Sequence, residues 1–143
     1  MKKALIFLIV LMLIGGGAAA YFILFNNDSE APQEIRTPYI PGEYFVTNVR
    51  RSGPDDYTTA LVKVSVVLEV DEKPENTEFF AFLDEKQYII RNKIVFILRD
   101  KTEEELRAND VQDVLADEMM KELNQTLGIE NIRGVYFTDY VVQ

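Results

Sequence analysis

The side chains with the best claim to chemistry in this sequence are three adjacent pairs of acids, Asp55/Asp56, Asp84/Glu85 and Asp117/Glu118. Two carboxylates held close together can divide acid and base roles or share a hard cation. Adjacency along the chain suits neither task. Neighbouring helical residues point in different directions, and a pair in a turn is ordinarily just solvated. No third candidate group stands beside any of the pairs, so a cation site at Asp55 and Asp56 has only its two acids to recommend it. The other usual agents are missing: the chain has no Cys, no His and no Trp. That removes thiolate nucleophiles, disulfides, the common transition-metal ligands and the side chain that titrates near neutral pH. There is no nucleophile elbow and no phosphate-cradling glycine loop outside the apolar N-terminal run. The residues point to a binding or scaffolding role, with no enzyme activity, cofactor, metal site or small-molecule substrate expected.

Charge narrows the partners. The formal net charge is −9 at pH 7, and two of the few cations, Lys2 and Lys3, precede the apolar run, so the chain beyond that run is more acidic still. Nucleic-acid binding depends on Lys and Arg neutralising phosphates, and an acidic domain is repelled by anionic lipid. Neither partner is expected. A chain of 143 residues has room for one membrane segment and one compact domain of about 100 residues.

The elements that would position these residues start with the run at 4–25, which holds no charged side chain. A helix rising about 1.5 Å per residue needs about 20 apolar residues to cross a hydrocarbon core. Lys2 and Lys3 lie before the run, whereas Asp28, Glu30 and Glu34 come after it and ahead of Arg36. The positive-inside rule then places the N-terminus in the cytoplasm and the remainder outside, in a cell membrane crossed once. The rival is a cleaved signal peptide cut at Ala18-Ala19-Ala20. Cutting there leaves Tyr21-Phe22-Ile23-Leu24-Phe25 as an apolar new terminus, whereas an uncut helix uses those residues to complete its span. Within the run, Gly15/Ala19 and Gly16/Ala20 have the small-xxx-small spacing that lets two membrane helices approach closely; Gly and Ala are also simply common in such helices.

Residues 26–43 are polar, carry Pro32, Pro38 and Pro41, and read as an extended linker. Its apolar members Ile35, Tyr39 and Ile40 are the ones to order on a partner, unless Tyr39 and Ile40 simply dock on the domain beside them. Residues 44–143 form the domain. A first strand over 44–51 and a turn at 52–56 lead into a long alternating strand over 57–70, with Ala60, Val62, Val64, Val66, Leu68 and Val70 on one face. Helical spacing runs over 77–91 through Phe79, Phe82, Leu83, Lys86 and Ile90, with Phe80 and Tyr88 widening the apolar stripe. Three phenylalanines within four positions suit the core, and an arc broader than one sheet can cover suits a neighbour at Phe79 and Phe80. Residues 94–98 (IVFIL) read as a buried central strand. Thr102 and Glu105 form a capping box, which accounts for the acids at 103–105. Asp110 caps a helix to Leu127, stopped by Gly128, and on it lies the glycosylation triplet Asn124-Gln125-Thr126. The run from Gly134 to Gln143 is a last strand, with Tyr136, Thr138, Tyr140 and Val142 on one face and Val135, Phe137, Asp139 and Val141 on the other. The fold class is α+β, a mainly antiparallel sheet packed by helices.

Several strings resemble one family, the flagellar basal-body-associated FliL proteins. They are Phe45-Val46-Thr47-Asn48-Val49, the strand over 57–70, Ile90-Arg91-Asn92-Lys93-Ile94 with the block ending Asp100-Lys101-Thr102, and above all Val135-Tyr136-Phe137-Thr138-Asp139-Tyr140-Val141-Val142-Gln143. The pattern departs at Phe79, Phe80 and Phe82, where more aliphatic and polar residues are expected. The resemblance implies an inner-membrane protein whose outer domain is similar to stomatin/prohibitin-type (SPFH) domains. It further implies assembly of its own copies into rings around the ion-driven stator of the flagellar motor, in support of swimming and swarming. The anchor, linker and acidic domain fit equally a tethered scaffold or sensor of another envelope system.

Overall fold

The sheet is organised on β3 (Thr59–Val70), whose alternation the structure realises without a break. Ala60, Val62, Val64, Val66, Leu68 and Val70 are all buried, and the intervening residues point to the other face. The computed structural model describes residues 35–51 and 59–143, which fall within the compact unit Glu34–Gln143. One edge of β3 is lined end to end by two strands, both antiparallel to it. These are β1 (Thr37–Tyr39), with Thr37 opposite Val70, and β2 (Phe45–Arg50), with Phe45 opposite Val64. The predicted turn at 52–56 lies outside the described residues, and the hairpin register it would set runs from Phe45/Val64 to Arg50/Thr59.

β1 corrects the reading of 26–43 as linker throughout, because the sheet extends into it. Its central residue is Pro38, tolerable because an edge strand has one side on which no N–H is needed. Tyr39 is buried and its hydroxyl donates to Asp84 Oδ1 at 3.0 Å. Thr37 Oγ1 donates to the Glu72 carbonyl at 2.6 Å, Pro41 is buried, and the Arg91 guanidinium lies where a Cβ on Gly42 would stand. A side chain added at Gly42 would displace the guanidinium from that seat.

The other edge of β3 carries β4 (Ile132–Val142), also antiparallel. Two register shifts interrupt the pairing. Ser65 faces Asp139 while Val66 faces Phe137, leaving Thr138 over, and Glu69 faces Gly134 while Val70 faces Ile132, leaving Arg133 over. Each extra residue reverses the alternation beyond it. The single alternation expected for 134–143 is therefore wrong. Val135 and Phe137 before the bulge and Tyr140 and Val142 after it all pack on the core side. A strict alternation would have turned Tyr140 and Val142 away.

Among the described residues four helices cover that side. Helical spacing predicted over 77–91 becomes α1 (Thr77–Glu85) and α2 (Gln87–Arg99), divided at Lys86 with φ −91° and ψ 6°. The predicted central strand at 94–98 is overturned, since these residues are the second half of α2. Ile90, Ile94, Ile97 and Leu98 fall at helical spacing on the sheet, while Val95 is part-buried and Phe96 exposed. Five contiguous apolar residues satisfy a strand buried on both faces and a broad-arced helix alike. Each such fully buried side chain stabilises the fold by about 1.5–3 kcal/mol over an exposed one.

The capping box holds α3 (Glu103–Leu106): Thr102 Oγ1 accepts from Glu105 N at 3.3 Å and Glu105 Oε2 accepts from Thr102 N at 2.7 Å. α4 (Val111–Leu127) ends, as expected, at Gly128 in the left-handed region with φ 68°, while Asp110 occupies the cap position without a side-chain cap bond. Leu115, Met119 and Leu123 are its buried face. Among the described residues no helix is long and apolar enough to cross a membrane. The run at 4–25 lies outside them.

Candidate interaction surface

Three of the four described acids of these pairs, Asp84, Glu85 and Glu118, are engaged by neighbouring side chains, and Asp117 is exposed. Asp84 accepts from Tyr39, while Glu85 turns the other way to Lys86 at 2.7 Å. Lys86, by hydrogen bond and charge, holds the Glu85 carboxyl below the usual range. Burial, then the hydrogen bond and negative charge of Asp84, push the Tyr39 phenol well above a normal tyrosine. Glu118 pairs with Lys101 at 2.8 Å and raises the ammonium's pKa. Asp55 and Asp56 lie outside the described residues. Among those described, no three acids gather as a metal would require.

Asn124 has a fold-holding task. Its amide Nδ2 donates to the Ile132 carbonyl at 2.8 Å and its Oδ1 accepts from Ile132 N at 3.1 Å, so α4 grips the first residue of β4 as a third strand would. The Arg91 guanidinium sits 4.7 Å from the Phe45 ring centroid and donates to the Tyr44 carbonyl, joining α2 to β2.

The residues expected on an association surface divide. Ile40 is 62% exposed, Ile35 is half-buried and Tyr39 is inside. Docking on the domain is thus the fate of Tyr39 and not of Ile40. Phe79 and Phe80 are half-buried against the core, their rings edge to face at 5.7 Å. Gly15, Gly16, Ala19 and Ala20 lie outside the described residues.

The apolar side chains that stand open are elsewhere. On the uncovered sheet face they are Val46, Leu61 and Tyr136, the last with its ring laid over Gly134, where an added Cβ would meet it at 3.0 Å. On the helical side they are Val114 on α4, 54% exposed, and on α2 Tyr88 at 68% and Phe96 at 58%, these two lying one on each side of the exposed Asn92 at four-residue spacing. That stripe was hidden from sequence reasoning because 94–98 read as strand. Spacing alone, Tyr88, Asn92 and Phe96 on one unbroken helix, would have found it. A hollow of about 200 Å³ lies beside it, lined by Ile89, Asn92, Lys93, Phe96 and Thr126.

What the described residues define is a two-layer α+β domain with ion pairs on its surface and apolar side chains standing open on both layers. Residues 39–143 match the family model described as flagellar basal body-associated protein FliL, and the chain belongs to that family. It is 33% identical over 113 residues, 79% of its own length, to a flagellar protein FliL of Aquifex aeolicus (strain VF5). The match spans 65% of that relative.

Proposed function

We propose that this protein is a non-enzymatic accessory of the flagellar motor, anchored once in the inner membrane with its N-terminus inside. Its domain lies outside, associating with its own copies around the ion-driven stator and supporting torque. The family match over 39–143 carries the reading. The charge-free run at 4–25, with lysines before it and acids after it, supplies the anchor. Gly15/Ala19 and Gly16/Ala20 let anchors of neighbouring copies pack. Ile40, with Ile35 beside it, is available to the stator, while Phe79 and Phe80 shape the surface from a half-buried position. The two-layer build is compatible with an SPFH-type domain.

Two measurements test this. Deleting the gene should reduce swimming in viscous medium and swarming, and full-length protein should co-purify with stator subunits from gently solubilised membranes. Unchanged motility under high load, with no stator in the purified material, would overturn the proposal.

A further inference from the structure

The chain enters the domain through β1, and β1 differs from the other strands in what holds it. Of residues 35–44 only Tyr39 and Pro41 are buried, while Arg36, Pro38, Ile40, Glu43 and Tyr44 are exposed. The backbone pairing covers three residues of β3, and the central strand residue, Pro38, has no N–H to give. The rest of the grip is polar and scattered. Arg36 Nη1 pairs with Glu69 Oε2 at 2.8 Å, Thr37 Oγ1 donates to the Glu72 carbonyl, the Tyr39 hydroxyl donates to Asp84 Oδ1, and Ser65 Oγ donates to the Glu43 carbonyl at 2.8 Å. Phe45 is where the chain becomes core. It is 1% exposed, begins the pairing of β2 with β3, and lies under the Arg91 guanidinium.

The remaining sheet stands without β1. With β1 lifted away, β3 keeps β2 on the same edge and β4 along the other, and only the Tyr39 ring and Pro41 leave the interior. Segments held by few buried apolar contacts open by themselves, at a free energy below that of global unfolding. We infer that residues 35–44 are a releasable strap, latched on the domain through Tyr39 and Asp84 and freed as one unit up to Phe45 while the rest of the domain stays folded.

Release changes where the chain leaves the folded domain. The exit moves from the Val70 end of β3 to Phe45, opposite Val64, about 20 Å along the sheet at about 3.4 Å per residue. It also lengthens the connection to the run at 4–25, since residues 26–36 reach at most about 40 Å when fully extended and residues 26–44 about 70 Å. The strap therefore controls the distance and orientation at which the domain is held from whatever fixes residues 4–25. That consequence rests on the anchor proposed above, whereas the release itself does not. A pull from the N-terminal side meets the strap before it meets β2, and tension favours the released state because the load does work over the added length.

Hydrogen exchange of the full-length chain in detergent reads the release directly. The amides of Thr37 and Tyr39 should exchange roughly tenfold or more faster than those of β2 and β4. Exchange at the rate of β2 would mean that β1 opens only with the whole domain, and overturns the strap. Pro38 and Glu69 face each other in the register, and the chain has no cysteine of its own, so Pro38→Cys with Glu69→Cys allows a reversible lock. Oxidation should slow the Thr37 and Tyr39 amides to the rate of β2, and reduction should free them; an oxidised chain that exchanges like the reduced one also overturns the strap.

Tyr39→Asp puts a carboxylate in the apolar seat of the ring and should hold the strap open. The domain should still melt cooperatively, at a lowered temperature. Asp84→Ala should lower the melting temperature of the natural chain but not that of Tyr39→Asp, where the contact is already gone. A further drop in the double variant, or loss of any cooperative melt in Tyr39→Asp, would make β1 part of the fold proper and overturn the proposal. Reach is read in vesicles of zwitterionic and anionic lipid, with a donor dye on Asn92→Cys, an exposed position, and acceptor dyes on the headgroups. Energy transfer should fall when Tyr39→Asp is added, and equal transfer overturns the control of reach. Chain that fails to float with the vesicles removes the proposed anchor instead, and leaves the exchange and melting results to decide the strap.

Discussion

The two faces of α2 carry similar side chains under opposite conditions. Ile90, Ile94, Ile97 and Leu98 lie between helix and sheet at 0–6% exposure, and Tyr88 and Phe96, on the same roughly three turns of helix, stand more than half in water. Burial is the difference. The inner residues hold the domain together, and the outer ones are free to be recognised. Hydrophobicity alone separates the two sets poorly, because contiguous apolar residues wrap around the helix from one face into the other. What separates them is the sheet beneath, so damage to the sheet or inner face should act on stability, and damage to the outer face on association.

The largest effect should come from removing residues 139–143. These contribute Tyr140 and Val142 to the core side of the sheet, the register pairs Lys63/Val141 and Val62/Val142, and the reciprocal bonds between Leu61 and Gln143 at 2.7 and 2.8 Å. Arg107 Nη2 also donates to the Val142 carbonyl, and the Tyr140 hydroxyl to that of Leu106, tying the helical layer to this strand. The shortened chain in detergent should show no cooperative melt by circular dichroism. An unchanged melting temperature would mean that the inner face of α2 is held without the end of its sheet.

Leu98→Ala should come next. Leu98 is fully buried, and emptying such a site costs about 2–5 kcal/mol as transfer and cavity terms combine. The melting temperature should drop by many degrees.

How far this contrast was legible in the sequence depends on the element. β3 could be read because a half-buried strand displays its two faces as a strict alternation, and each of its inward residues is where that alternation placed it. β4 was legible as a strand but not in its faces. Thr138 and Arg133 are surplus to the register, and nothing in a single sequence marks a residue as unpaired. Helix ends with a geometric signature, Thr102/Glu105 and Gly128, were found, whereas residues 94–98 fitted two patterns and the strand was the wrong one. That error concealed the outward stripe, since Phe96 can be seen in line with Tyr88 only if 87–99 is one helix. β1 was missed because Pro38 and a three-residue length argue for a linker until the edge of β3 is known.

Tyr39→Phe should produce a smaller loss, about 1 kcal/mol, by removing the hydrogen bond to Asp84 from a part-buried site. Its pH dependence has a definite sign. The folded phenol has its pKa raised, by burial first and by Asp84 second, so its contribution is complete below the ordinary tyrosine value of about 10. It is lost as pH rises from there towards the folded value, because the unfolded chain releases that proton more easily. Alkaline melts should therefore narrow the gap between the natural chain and Tyr39→Phe. A gap that widens above pH 10 would contradict the cause given for the raised pKa.

The smallest effect on stability, and the sharpest test of the contrast, belongs to Tyr88→Ser and Phe96→Ser. Neither ring is buried, and surface changes away from caps and paired charges ordinarily stay within about 0.5 kcal/mol. Their melts should overlay that of the natural chain, even though Phe96 stands between Val95 and Ile97 in the most apolar stretch of the domain. If Phe96→Ser instead destabilised the domain as much as Leu98→Ala, the outer face would be part of the fold. Its apolar side chains would then need an explanation in packing rather than recognition.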